Sequence, residues 1–234
     1  MYKAIDFLGI KVSAITKAEI VDKILEFAFM GRHKMITYLN AHCVNVSFTD
    51  FEYREILKAA DLVYAGGKGV VWASRLFSNG LPERVNILDF FAKLVERLRD
   101  EKVNIYLLGA QQDVVQKASE ELKSRGLIIT GFHNGFFHET EERNIINEIN
   151  ALQPNILMVG LGIPKQEKWI YRHLNELDVN LCWGVGAAFN NLSGKLKRAP
   201  QWMIDYGLEW LYRLYQEPKR LWKRYLFGNL FFIY

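Results

Sequence analysis

The chain has 234 residues, half of them hydrophobic and 24% charged, with 30 Lys and Arg against 26 Asp and Glu. That is enough chain to bury a full core as one large domain, or as a domain with an appendage. The opening Met1-Tyr-Lys-Ala-Ile-Asp6 lacks the apolar run of a secretion signal. The charge-free stretch Leu181–Gly194 is too short, and too broken by Asn and Gly, to span a bilayer.

Apolar strand-like runs alternate with amphipathic helical ones. In chain order the expected strands are Met35–Leu39, Leu62–Ala65, Val103–Leu108, Leu127–Thr130, Asn155–Val159 and Asn180–Val185. The expected helices are Lys17–Phe29, Asp50–Ala60, Ile87–Arg99, Val114–Lys123, Glu141–Leu152 and Lys165–Leu177. Near-continuous apolar strands between helices argue for an α/β, Rossmann-like fold: a mostly parallel sheet with helices on both faces. Cys43 and Cys182 both lie in apolar strand-like runs. Two thiols without a cysteine framework suit a reducing compartment, as core residues more than as a nucleophile.

Composition shifts near Gly194, which divides a core (residues 1–194) from a basic, aromatic C-terminal appendage (195–234). The appendage carries Lys195, Lys197, Arg198, Arg213, Lys219, Arg220, Lys223 and Arg224 against only Asp205, Glu209 and Glu217. It also holds eleven aromatics, among them Trp202, Trp210, Trp222, Tyr225, Phe231 and Tyr234. Such a segment suits a phosphate-bearing surface, a membrane or a nucleotide; the alternative is a solvated basic helix that only caps the fold. Proline ends one helix and starts another, so a helix from about Pro200 should stop near Glu217 and a second should begin at Pro218. Arg220, Lys223 and Arg224 then share one face.

Three strands run into glycine turns that open helices, around Gly109, Gly160–Gly162 and Gly184–Gly186. Such turns bring backbone amides close to a phosphate. None completes a dinucleotide fingerprint. Gly66-Gly-Lys68-Gly lacks the spacing and the Ser or Thr of a phosphate-binding loop, which argues against ATP hydrolysis. No Asp-x-Asp and no serine nucleophile elbow occur, and the five histidines lack metal-ligand spacing apart from His133/His138. No metal and no cofactor are expected.

Several longer motifs carry a resemblance. They are Ile156-Leu-Met-Val-Gly-Leu-Gly-Ile-Pro-Lys-Gln-Glu-Lys-Trp169, Gly186-Ala-Ala-Phe189, Ser193-Gly-Lys-Leu-Lys-Arg-Ala-Pro200, Gly207-Leu-Glu-Trp-Leu-Tyr-Arg213, Glu217-Pro-Lys-Arg220 and Lys223-Arg-Tyr225. Together the chain resembles the WecG/TagA/CpsF family of bacterial glycosyltransferases (glycosyltransferase family 26) over nearly its whole length. The resemblance implies an inverting, metal-independent transfer from a UDP-sugar, N-acetylmannosamine or a related hexose, to an undecaprenyl-diphosphate-linked sugar in teichoic acid, common antigen or capsule synthesis. It implies a cytoplasmic protein peripheral at the inner membrane face, its appendage closing the site and meeting the membrane. Arg213, Arg220 and Arg224, with Lys223, would hold the leaving diphosphate. Thr37, Asn40 and Gln166 would line the donor pocket, with Gly66, Gly109, Gly162, Lys165 and Asn190 beside them.

The sequence departs from the family at two acids. Where the family reads Tyr-Ala-Asp-Gly, with the Asp as proposed base, this chain has Tyr64-Ala65-Gly66-Gly67; where the family has Phe-Asp, it has Phe189-Asn190. Three readings stand: another carboxylate such as Asp89 acts as base, the acceptor differs, or the chain is a weakened or non-catalytic nucleotide-sugar-binding or scaffold member. Asp89 can equally be a helix-start acid. Nucleic acid fits poorly, since the cations sit beside apolar residues in one terminal segment. A homo-oligomer stays open, as does the identity of donor and acceptor sugars.

Overall fold

The computed structural model describes residues 3–30, 32–77 and 80–233. Two short strands open it, β1 (Ala4–Phe7) and β2 (Ile10–Ser13), paired as an antiparallel hairpin. The order then runs α1 (Lys17–Met30), β3 (Lys34–Leu39), α2 (Ala41–Thr49), α3 (Phe51–Ala59), β4 (Leu62–Ala65), α4 (Lys68–Phe77) and α5 (Ile87–Asp100). It continues through β5 (Asn104–Gly109), α6 (Gln112–Ser124), β6 (Ile128–His133), α7 (Glu139–Leu152), β7 (Ile156–Gly160), α8 (Lys165–His173), β8 (Leu181–Gly184) and α9 (Ala188–Leu192). The tail forms α10 (Gln201–Asp205), α11 (Glu209–Gln216) and α12 (Pro218–Ile233).

Strands β3 to β8 make one sheet in the order β4-β3-β8-β7-β5-β6, every neighbouring pair parallel. The fold is α/β and Rossmann-like, as the strand–helix alternation implies. Successive strand side chains point to opposite faces. Thus Ile36, Ile105, Met158 and Trp183 pack with Ile20, Ile24, Leu94 and Val115 of α1, α5 and α6. Their neighbours Met35, Tyr106, Leu157 and Cys182 pack with Ile56, Ile146, Trp169 and Ile170 of α3, α7 and α8. A third cluster seats the hairpin's Phe7, Ile10 and Val12 on Leu39, Val63 and Val70 near β4. Helices cover both faces, so the strands read as continuous apolar runs rather than alternating ones.

The six expected strands of the sheet form, with ends shifted by a few residues at most. The hairpin, α2 and α4 were not expected. Cys43 lies in α2 rather than a strand: Asn40 caps that helix, its side chain accepting from the His42 and Cys43 amides at 2.9 and 3.1 Å, and this local cap overrides a β-branched, apolar stretch. The helix expected from Lys165 to Leu177 stops at His173. The helix expected from Pro200 to Glu217 is broken in two at Gly207, whose φ of +73° ends α10 before α11 begins. Pro218 does start α12; Tyr234 lies outside the described residues.

Helix α12 crosses α2, with Asn45 Nδ2 donating to the Gly228 carbonyl at 2.6 Å and the Phe48 and Phe231 rings meeting edge-on at 6.0 Å. It still exposes Trp222, Leu226, Phe227, Leu230 and Phe231. Among the described residues no helix is long and apolar enough to cross a membrane.

Candidate active site

A parallel sheet brings all its strand carboxyl ends to one edge, and ligands of such sheets bind there. At this edge the paired ends of β5 and β7 close tightly: Gly109 has φ +143°, and a Cβ on it would lie 2.5 Å from the Gly160 backbone. The ends of β3, β4 and β8 open instead into a cavity of about 1450 Å³ roofed by the tail helices. Asn40 and His42 border it after β3, Gly66 to Lys68 after β4, Gly162 after β7 and Gly186 after β8. Arg198, Arg213, Arg220 and Arg224 face them from the tail. An apolar wall comes from Phe48 of α2, Trp72 and Leu76 of α4, and Leu226, Leu230 and Phe231 of α12.

Under the floor lies a buried polar chain. Thr37 Oγ1 and Gln166 Nε2 donate to Glu167 Oε1 at 2.8 and 2.7 Å, and the Gly186 amide donates to Gln166 Oε1 at 3.0 Å. All three side chains are fully buried, and Glu167 Oε2 has no partner. Burial pushes the Glu167 carboxyl up to about 7, although both donors oppose the rise. Thr37 and Gln166 therefore hold the Gly186 turn from beneath rather than bordering the cavity.

Beside the cavity, Arg84 spans the core and the tail. Its guanidinium grips both Asp89 oxygens at 2.9 and 2.7 Å and pairs with Glu209 of α11, while Arg198 also binds Asp89. Burial works against the Arg84 charge, but Glu209 and Asp89 outweigh it and keep it cationic. Asp89 is a first-turn acid of α5, whose cap is Asn86, and both its oxygens are engaged by arginines.

Of the residues singled out from sequence, Asn40, Gly66, Gly162, Arg213, Arg220 and Arg224 border the cavity. Gly109, Lys165, Asn190, Lys223 and Asp89 stand outside its lining. Lys165 points over the Phe137 ring and Lys223 over Trp222. Arg220 pairs with Glu217, whereas Arg213 has no ion pair among the described residues. The sequence reading missed Tyr38, His42 and Arg84; a lone arginine or histidine outside a motif carries no spacing signal. Burial and the nearby Arg224 hold the His42 imidazole down at about 4, so it is neutral at physiological pH. A Cβ at Gly66 would lie 2.8 Å from the Tyr38 ring, so Tyr38 occupies the space a side chain there would need. Among the described residues no group of three His, Cys, Asp or Glu side chains is placed to hold a metal ion.

An open parallel sheet whose carboxyl edge is roofed by arginines has the form of a site for phosphorylated ligands. The sequence model of the glycosyl transferase WecG/TagA/CpsF family matches residues 5–234. A relative from Bacillus subtilis (strain 168), named N-acetylglucosaminyldiphosphoundecaprenol N-acetyl-beta-D-mannosaminyltransferase, is 35% identical over 197 residues, covering 82% of this chain and 75% of its own. A relative of the same name from Staphylococcus aureus (strain MW2) is 29% identical over 219 residues, covering 93% and 86%. The chain belongs to the WecG/TagA/CpsF family and is a glycosyltransferase.

Proposed function

We propose that this protein transfers N-acetylmannosamine, or a related hexose, from a UDP-sugar to an undecaprenyl-diphosphate-linked N-acetylglucosamine, with inversion, for a cell-wall polymer. The observation that carries this reading is the two-natured cavity. Its arginine side suits a diphosphate, and its apolar wall from α2, α4 and α12 suits the first isoprene units of a lipid. The names of the relatives point to the same acceptor. Arg213, Arg220 and Arg224 stabilise the leaving diphosphate as the glycosidic bond to it breaks, and planar guanidinium forks suit that task. Asn40 and the Gly66, Gly162 and Gly186 turns offer backbone and amide contacts to the donor. Residues 195–234 act as a functional unit that closes the site. The exposed aromatic face of α12 seats the protein on the inner leaflet, where the acceptor lies.

The test is UDP release in EDTA from a panel of UDP-sugars, with and without a short-chain polyprenyl-diphosphate-N-acetylglucosamine. Acceptor-dependent release from one donor supports the reading and names the sugar. A second reading, a donor-binding subunit without turnover, is favoured by Gly66, where an acid would clash with Tyr38. Tight donor binding with no release under any acceptor would move the conclusion there.

A further inference from the structure

We propose that His42 is the general base that takes the acceptor proton, in place of a carboxylate at position 66. The inference rests on the transferase reading above. In the transfer, the acceptor oxygen forms a bond to the anomeric carbon, the bond from that carbon to the UDP oxygen breaks, and the hydroxyl proton passes to an imidazole nitrogen and then to water. A group lining the cavity that receives that proton speeds the transfer by about 10²–10⁴-fold.

The lining offers few groups with a free lone pair. Glu209 is the carboxylate that borders the cavity, and Arg84 holds it in an ion pair. Asp89, one step further back, is held by two arginines. Burial pushes the Tyr38 and Tyr64 phenols upward, so they stay protonated. Lys68 and Lys197 are cations, and Lys68 already donates to the Asp205 carbonyl. His42 remains: half-buried, bordering the cavity, and with its ring in no hydrogen bond among the described residues.

It rises from the turn next to the one that lacks the acid. Strands β3 and β4 run parallel in register, Leu39 beside Ala65, and the Gly66 amide donates to the Leu39 carbonyl at 2.8 Å. A Cβ on Gly67 would sit 3.1 Å from the Asn40 Cβ. His42 and Gly66 therefore rise from adjoining turns on one rim. The Asn40 cap fixes the first turn of α2 and with it the His42 backbone. Desolvation and Arg224 leave the imidazole about as basic as an ordinary aspartate, near 4, so it stands deprotonated and ready at neutral pH. A diphosphate bound at Arg224 would offset that cation's field, so the imidazole gains basicity once the donor is in place.

The test compares the parent protein with His42→Gln and His42→Ala. Acceptor-dependent UDP release across the same panel of UDP-sugars is measured beside donor affinity by calorimetry. The base reading expects kcat to fall by about 10²–10⁴ in both variants, with donor Kd changed less than about threefold and partial recovery of His42→Ala by added imidazole. A kcat in His42→Gln within about threefold of the parent overturns the proposal, as does a rate loss matched by equal loss of donor affinity. If the parent itself gives no acceptor-dependent release, the transferase reading falls and the base with it, an outcome distinct from active parent and active variants.

Discussion

Glu167→Gln should reshape the pH dependence of stability. The folded carboxyl is raised from its ordinary 4.5 to about 7 by burial, a difference of about 3 kcal/mol between its protonated and ionised forms. Below pH 4.5 the group is protonated folded and unfolded, and its contribution is complete. As pH rises toward 7, the unfolded chain releases the proton while the fold retains it, and stability drains away. Above about 7 the loss is full. Glutamine does not titrate, and its carbonyl can still accept from Thr37 and Gln166, while its amino group takes the place of Oε2, which has no partner already. Urea unfolding followed by tryptophan fluorescence at pH 5, 6, 7 and 8 measures both proteins, and groups common to both cancel in the difference. The variant should gain about 3 kcal/mol on the parent across that range. A difference flat to within about 1 kcal/mol would refute the assignment of a buried, late-titrating acid at this position.

Arg84→Ala leaves Glu209 without its buried partner and Asp89 with Arg198 alone. It should cost about 3 kcal/mol in urea unfolding and speed protease cleavage around α10 and α11. Gly109→Ala places a Cβ against the Gly160 backbone at 2.5 Å in a φ suited to glycine, so a loss of about 3 kcal/mol or more is expected by thermal unfolding. Asn40→Ala removes the acceptor of two α2 amides and should cost about 1 kcal/mol by the same assay.

The sheet was legible because its strands are buried on both faces, which leaves apolar runs such as Ile156–Val159 between amphipathic helices. Helix α2 was not, because its identity is set by one capping side chain rather than by periodicity. The α10–α11 break was hidden in the same way: one glycine at positive φ outweighs seventeen residues of helix-compatible sequence from Pro200 to Gln216. For the site, helix spacing put Arg220, Lys223 and Arg224 on one face, and the family resemblance pointed to Asn40 and the tail arginines; Asn40, Arg213, Arg220 and Arg224 border the cavity. Arg84 and His42 depend on which loops the topology brings together, through pairs 125 residues apart for Arg84 and Glu209, and local pattern carries no trace of that. Gln166 and Thr37 were expected to face ligand; their amide and hydroxyl are spent on Glu167 and Gly186 instead.

The seating of α12 on α2 sets a timetable for synthesis. The Asn45–Gly228 hydrogen bond joins residues 183 positions apart. At about 5–20 residues per second, a ribosome needs roughly ten to forty seconds to cover that interval. Strand β8, which joins β3 to β7, ends only at Gly184, so the sheet closes late in that interval, and from then until α12 arrives Val44, Phe48 and Trp72 of the cavity wall lack their roof. The nascent protein thus passes through a stage in which its core is formed but a greasy slot stands open. That is the stage at which holding by a chaperone, or by the membrane itself, would most protect it.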